Sequence, residues 1–205
     1  MKKVVCLLLF ICILTSAVAQ ERRFTAGAKI GLSSSQVSGD DLAGFNKAGL
    51  SAGLLSAMLF SKKWTTQFEL LFIQKGSKYI AHPDQGDLNY YRLQLNYLEV
   101  PVLLQYHFKQ FTFEAGPGFG YLINYKEEDE SGDISDYRPF NKSEISYHVG
   151  INYLIIHHLG VNVRYSNSIS SIRDHLSGAQ TLRNPGQQNT VLQLAFSITF
   201  GNAKE

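Results

Sequence analysis

The sequence predicts an all-β fold: eight antiparallel strands closed as an up-and-down transmembrane β-barrel. Three observations predict it. Apolar residues alternate with small or polar ones at period two through most of the chain, the mark of strands with two unlike faces. The connections between these segments alternate between long and very short. The non-apolar face is made largely of Gly, Ser and Thr rather than Lys and Glu.

The elements follow in order. Phe24, Ala26, Ala28, Ile30 and Leu32 give the first strand an apolar face, with Lys29 on the other. Gly49 to Phe60 is apolar on both faces but small on one. Trp64, Thr66, Phe68, Leu70 and Phe72 alternate with Thr65, Gln67 and Glu69 in the third. In the fourth, Tyr97 to Phe108, Leu98, Val100, Val102, Leu104 and Tyr106 oppose Glu99, Pro101, Leu103, Gln105 and His107. The fifth sets Phe111, Phe113, Ala115, Phe119, Tyr121 and Ile123 against Thr112, Glu114, Gly116, Gly118 and Gly120. Ile145 to Tyr153, Leu159 to Tyr165 and Leu192 to Phe200 repeat the pattern, with His148 and Arg164 on the polar face.

Long loops are expected at about Ser33–Ala48, Ile80–Asn89, Lys126–Lys142 and Ser168–Gln188. Between them lie short turns at Ser61-Lys62-Lys63, Lys109-Gln110 and Ile156-His157-His158. One looped end and one turned end is the plan of an up-and-down barrel. These turn lengths set Phe108 opposite Phe111 and Phe60 opposite Trp64, so apolar meets apolar in both hairpins. In the first of these hairpins Pro101 then faces Gly118 and Pro117 faces Val102. Proline cannot donate to a ladder and is kept from interior strands, so a bulge or bend midway is expected.

The apolar face can point outward into lipid or inward as in a soluble lipocalin-like carrier. Small residues with a few charges suit the narrow interior of eight strands, whereas a solvated face would be rich in Lys and Glu. Aromatics also gather near strand ends, as interface girdles do. Phe24, Phe60, Trp64, Phe108, Phe111 and Phe200 lie toward the turns, and Tyr79, Tyr90, Tyr91, Tyr121, Tyr125, Tyr147 and Tyr165 toward the loops. The outward arrangement is the reading adopted, with the carrier as its rival.

The start of the chain reads as an export signal. Lys2 and Lys3 precede 11 apolar residues, Val4 to Leu14, and then Thr15-Ser16-Ala17-Val18-Ala19. That run is too short for a membrane helix, which needs about 20 residues, and the small residues place cleavage after Ala19. Residues 1–19 are therefore expected to be a signal peptide and 20–205 one barrel domain. Both cysteines, Cys6 and Cys12, fall in the leader, and bulky Ile11 before Cys12 argues against lipidation. Removing Lys2 and Lys3 from 19 basic residues leaves 17 against 17 acidic ones, without the basic excess of a nucleic-acid binder.

Four segments together carry a family resemblance: Phe68-Glu69-Leu70-Leu71 with Gln74-Lys75-Gly76-Ser77-Lys78, Tyr97-Leu98-Glu99-Val100-Pro101-Val102-Leu103-Leu104, Glu114-Ala115-Gly116-Pro117-Gly118-Phe119-Gly120, and Val163-Arg164-Tyr165-Ser166. As a set they resemble the PorT-like outer-membrane β-barrel family of Gram-negative bacteria, over nearly the whole mature chain. The resemblance implies an eight-stranded outer-membrane barrel. PorT itself is associated with type IX protein secretion and gliding, but these motifs belong to the shared scaffold.

Glu69, Glu99 and Glu114 fall on the lumenal face of three consecutive strands, with Lys29 and Arg164 on the same face. Charges in a narrow lumen must be paired, so these five are expected to form a structural ion-pair network, with Arg164 as the main counter-charge and Lys29 second. A paired-carboxylate glycosidase would need a sugar cleft that a packed barrel lacks. Ser146, His107 and His148 invite a comparison with membrane lipases or acyltransferases, but show no convincing Ser-His-acid spacing. His157-His158 diverge on a turn, and Asp174-His175 lies in a loop. The acidic run Glu127-Glu128-Asp129-Glu130 lacks the ordered alternation and glycine of a calcium loop and reads as a solvated external loop. No catalytic, cofactor or metal residues are assigned. The expected function is a non-enzymatic, monomeric outer-membrane barrel with a side-chain-filled lumen. Its loops would meet lipopolysaccharide or protein partners, with no nucleic acid, and a PorT-like role in secretion or envelope assembly is the alternative.

Overall fold

The structure, a computed structural model, describes residues 24–200 apart from 41, 43, 82, 83, 85, 88 and 175–185. The expected leader, with Cys6 and Cys12, lies outside the described residues, as does His175. Eight long strands follow one another: β1 Phe24–Ser38, β2 Lys47–Ser61, β3 Trp64–Lys78, β4 Tyr91–Phe108, β5 Phe111–Asp129, β7 Ser143–Ile156, β8 Leu159–Ser168 and β9 Gln188–Phe200. A two-residue strand, β6 Gly132–Asp133, folds back on the end of β5 inside a loop. Every long strand pairs antiparallel with its neighbours in the chain, and β9 returns to β1. The sheet is therefore a closed, eight-stranded up-and-down barrel.

Two-residue turns, Lys62-Lys63, Lys109-Gln110 and His157-His158, join one end. Lys109 takes a positive φ of 56°, which the tight hairpin needs to match strand twist. The other end carries the loops, but shorter ones than the sequence suggested. Ser33–Ser38 and Lys126–Asp129 are strand rather than loop, and β4 begins at Tyr91 instead of Tyr97. β4 and β5 reach 18 and 19 residues. A tilted strand crosses a bilayer in about 9–11 residues, so this wall of the barrel stands well above the membrane.

The alternating apolar faces point outward. Ile30, Leu54, Phe68, Val100, Phe119, Val163 and Phe196 are all exposed, forming a band suited to lipid. This is the inverse of the soluble carrier, which keeps that face inside. Phe24, Phe60, Trp64, Phe108, Phe111 and Phe200 ring the turn end and are exposed. On the loop side Tyr91 and Tyr125 depart from the expected girdle, since both pack inward against the apolar core.

Tyr91 keeps the inward parity of β4 with Tyr97 and Glu99, whereas a shift of register turns Tyr125. Along β4 and β5, Phe108 faces Phe111, Gln105 faces Glu114 and Pro101 faces Gly118, as expected. The ladder lapses between Pro101↔Gly118 and Leu104↔Ala115, and again on the β3 side between Phe68↔Val102 and Leu71↔Glu99. No residue is inserted there, so the prolines interrupt the ladder without a bulge. The bulge lies higher, where Asn96↔Asn124 is followed by Tyr97↔Leu122. Ile123 is the extra residue. A one-residue slip exchanges faces, which turns Tyr125 and Glu127 inward. A second bulge takes up Phe60, so Ser61, not Phe60, faces Trp64.

Where the ladder lapses, the strands approach closely. A Cβ on Gly116 would lie 1.9 Å from the Val102 carbonyl oxygen. Gly116→Ala is expected to destabilise the barrel by about 1–3 kcal/mol, a typical cost of overpacking. Urea titration followed by the fluorescence of Trp64, the single tryptophan, would measure it.

Candidate functional site

The interior is layered along the barrel axis, and each layer follows from which residues period two turns inward. Nearest the turns is a cavity of about 590 Å³, with Phe60, Lys62, Lys109 and Gln110 among its lining. Its polar lining includes Lys29, Gln67, Gln105, Glu114 and Asn162. The lumen is thus not filled by side chains throughout, as the sequence suggested. Here the turn end is an open vestibule.

Above it stand two cations and two carboxylates. Arg164 holds Glu69 with both terminal nitrogens, Nη1–Oε2 at 2.6 Å and Nη2–Oε1 at 2.8 Å. Its Nε donates to Glu114 Oε1 at 2.8 Å. Lys29 Nζ adds a bond to Glu69 Oε1 at 3.2 Å. Neutral donors complete the set: Gln67 to Glu69 at 2.7 Å, Asn162 to Glu114 at 2.9 Å and Gln105 to Glu114 at 3.2 Å. Gly150 makes room, because a Cβ there would meet Glu114 Oε1 at 2.8 Å. The charges balance, and each carboxylate is held by a guanidinium, the strong geometry for burying such a pair.

Glu99 does not join this group, and Arg164 is not its counter-charge. It pairs with Lys75, which also holds Glu144 Oε1 at 2.8 Å. Asn189 donates to Glu144 Oε2 at 2.8 Å, and the Lys75 ammonium sits 4.8 Å from the Tyr97 ring centre. Lys75 and Glu144 were missed by sequence reasoning. The face alternation carried the signal for both: Lys75 continues Thr65, Gln67 and Glu69 inward, and Glu144 precedes Ser146 and His148. Both stand at strand ends that the sequence left beside loops.

His148 is 2% exposed, with Nε2 at 3.0 Å from Ser146 Oγ. Its Nδ1 has no hydrogen-bond partner, and neither residue borders the cavity. Gly118 leaves it space, since a Cβ there would fall 2.2 Å from His148 Nε2. The serine–histidine contact is therefore part of a packed lumen that a substrate does not reach. His107 lies lower, between Thr65 Oγ1 at 2.6 Å and Thr112 Oγ1 at 3.0 Å.

The loop end is closed by an apolar plug. Val37, Leu93, Leu95 and Val191 point inward from the strands, while Phe140 and Ile172 enter from loops. Glu127, expected in a solvated run, is buried here. Arg173 binds it through two nitrogens and stacks 3.6 Å from the Phe140 ring centre. The Tyr91 hydroxyl donates to the same carboxylate at 2.7 Å. Backbone bonds Asn141 N to Ile172 O and Gln187 N to Arg173 O tie the loops over the mouth.

Residues 18–174 match a family model described as outer membrane protein beta-barrel domain. Among solved structures, the chain is similar to Ail, the attachment invasion locus protein of Yersinia pestis. The two are 14% identical with a TM-score of 0.52, over 86% of this chain and 98% of that one. A structure of Ail in complex with the heparin analogue sucrose octasulfate matches with a TM-score of 0.50 at 14% identity, over 87% and 99%. Neisserial surface protein A covers 86% of this chain and 97% of its own at 10% identity, with a TM-score of 0.48. At these identities the likeness is one of fold. No curated protein matches the sequence.

Proposed function

This chain belongs to the outer membrane protein beta-barrel domain family, and on that premise we propose that it is a non-enzymatic, monomeric barrel acting through its loop-end surface. The observation that carries this reading is the layered lumen. Two ion-paired layers and an apolar plug stand between the vestibule and the outside, so the interior serves as a structural core. Glu69, Glu114, Arg164 and Lys29, with Glu99 in its separate pair, have a structural role in this proposal. Export follows from cleavage after Ala19.

What remains for function is the outside. Lipopolysaccharide is the proposed partner, because the strands and loops at that end stand in the outer leaflet and beyond it. A protein of the same fold, Ail, was crystallised with the heparin analogue sucrose octasulfate, so one barrel of this fold takes an anionic ligand. The PorT-like motifs coincide with scaffold: Glu99 to Leu104 and Glu114 to Gly120 make the interrupted β4–β5 hairpin and its lumenal carboxylates. A secretion role draws no support from those residues, and the structural reading is preferred.

Reconstitution into planar bilayers tests the closed lumen. The expected result is no stable open channel at physiological salt. Persistent, large, ungated conductance would overturn the proposal.

A further inference from the structure

Above the lipid-facing band, one wall of the barrel differs from the rest. On β3, β4 and β5 the last apolar row is Phe72, Leu98 and Tyr121, three register partners. The next row up is Gln74, Asn96 and Asn124, linked by side-chain bonds at 3.1 and 2.5 Å. Above these come Gln94 with Lys126, and then Lys78 with Arg92 and Glu128. On β1 and β8 the outward residues beyond the band are Ser34, Gln36 and Asn167, none of them charged.

The cations are placed for an anion in the headgroup layer. Successive rows are about 6–7 Å apart along a strand, less along the membrane normal because barrel strands tilt. Long basic side chains can turn back toward the membrane surface from that height. Arg92, Gln94, Lys126 and Glu128 line a small cavity of about 170 Å³ on this outer wall. Glu128 is engaged by Lys126 at 2.5 Å. Among the described residues neither Lys78 nor Arg92 has a carboxylate partner. The wall therefore holds two cations, Lys78 and Arg92, that no carboxylate engages among the described residues, beside a Lys126 paired with Glu128.

We propose that the outward face of β3–β5 binds the phosphorylated headgroup of an outer-leaflet glycolipid, with Arg92 and Lys78 on phosphate and Lys126 flanking them. Guanidinium and ammonium groups above an apolar wall match a lipid whose acyl chains lie against the wall and whose phosphates sit at its rim. The binding is one-sided, because the opposite wall offers no counterpart. The inference rests on the reading of lipopolysaccharide as partner and assigns it a place.

Two titrations of the refolded protein in zwitterionic micelles test it, one with lipopolysaccharide and one with the same lipid after removal of its lipid A phosphates. The wild type should prefer the phosphorylated form by at least about tenfold, on the order expected for a few basic residues near an anionic surface. The K78Q/R92Q/K126Q variant should lose that preference. If the triple variant does not show the heat-modifiable migration of a folded barrel, R92Q alone is measured, with a loss of about fivefold expected. Equal binding of both forms by the wild type, or an undiminished preference in the variant, overturns the site. A wild type that binds neither form overturns the broader reading instead.

Discussion

Arg164→Leu is expected to cost the barrel about 3–5 kcal/mol, the usual consequence of removing one partner from a buried ion pair. Arg164 makes contacts at 2.6–2.8 Å to both Glu69 and Glu114, and all three side chains are at most 2% exposed. Without it, Lys29 is left to serve Glu69, and Glu114 keeps only the amides of Asn162 and Gln105. The readout is the temperature at which the compact, fast-migrating form is lost in SDS gels, together with urea unfolding. A leucine variant as heat-resistant as wild type would refute the structural role. Adding Glu114→Gln to Arg164→Leu, which leaves Lys29 paired with Glu69, should recover much of the loss, because the cost lies in orphaned charge and not in the missing side chain. Replacement of a whole buried ionic group by neutral residues is often close to neutral.

The barrel was legible in the sequence because a membrane barrel writes both of its surfaces at period two. Strand number, the outward apolar face and the β4–β5 register all follow from alternation and turn length. What was not legible lies near the loop end, where the alternation changes phase or leaves the apolar range. Ile123 reads as one more outward apolar residue, yet it is the bulge after which Glu127 faces inward. The acidic run therefore looked solvated, although one of its members anchors Arg173. The expected fourth strand starts only at Tyr97 because Gln94 and Asn96 face outward above the lipid, where an apolar face is no longer needed.

The same limit applies to the lumenal charges. Faces can be read from parity, so Glu69, Glu99, Glu114, Arg164 and Lys29 were all placed inside. Height along the axis cannot be read that way without the shear of the closed barrel. Glu99 neighbours Leu71 in the ladder, whereas Glu114 neighbours Gln105, which separates the two carboxylates by several residues along the wall. Each layer then has to find its own cation. Lys75 supplies the one for Glu99, and alternation alone does not distinguish it from Arg164.

Lys75→Met should be as damaging as Arg164→Leu, again by about 3–5 kcal/mol, and should differ from it in its dependence on pH. Lys75 is a single ammonium between two carboxylates, Glu99 and Glu144, and all three side chains are 1% exposed. Methionine keeps the length of the stem and removes the charge. Two buried anions then face each other, with Asn189 donating to Glu144 and with His148 and Arg164 the nearest groups able to carry positive charge beside Glu99. At neutral pH this layer would be the weakest in the lumen. Carboxylic acids need no cation, so lowering the pH through the carboxylate range should shrink the deficit of the variant relative to wild type. Wild type should show no matching gain, since there protonation also removes the ion pairs with Lys75. Urea unfolding monitored at Trp64 at pH 7.5 and again near pH 4 separates the cases. A deficit of the same size at both values would mean that lost packing, and not uncompensated charge, is what the methionine costs. Glu99→Gln with Glu144→Gln in the Lys75→Met background provides the complementary check at neutral pH. If uncompensated charge is the cause, these two changes restore most of the loss without any change of pH.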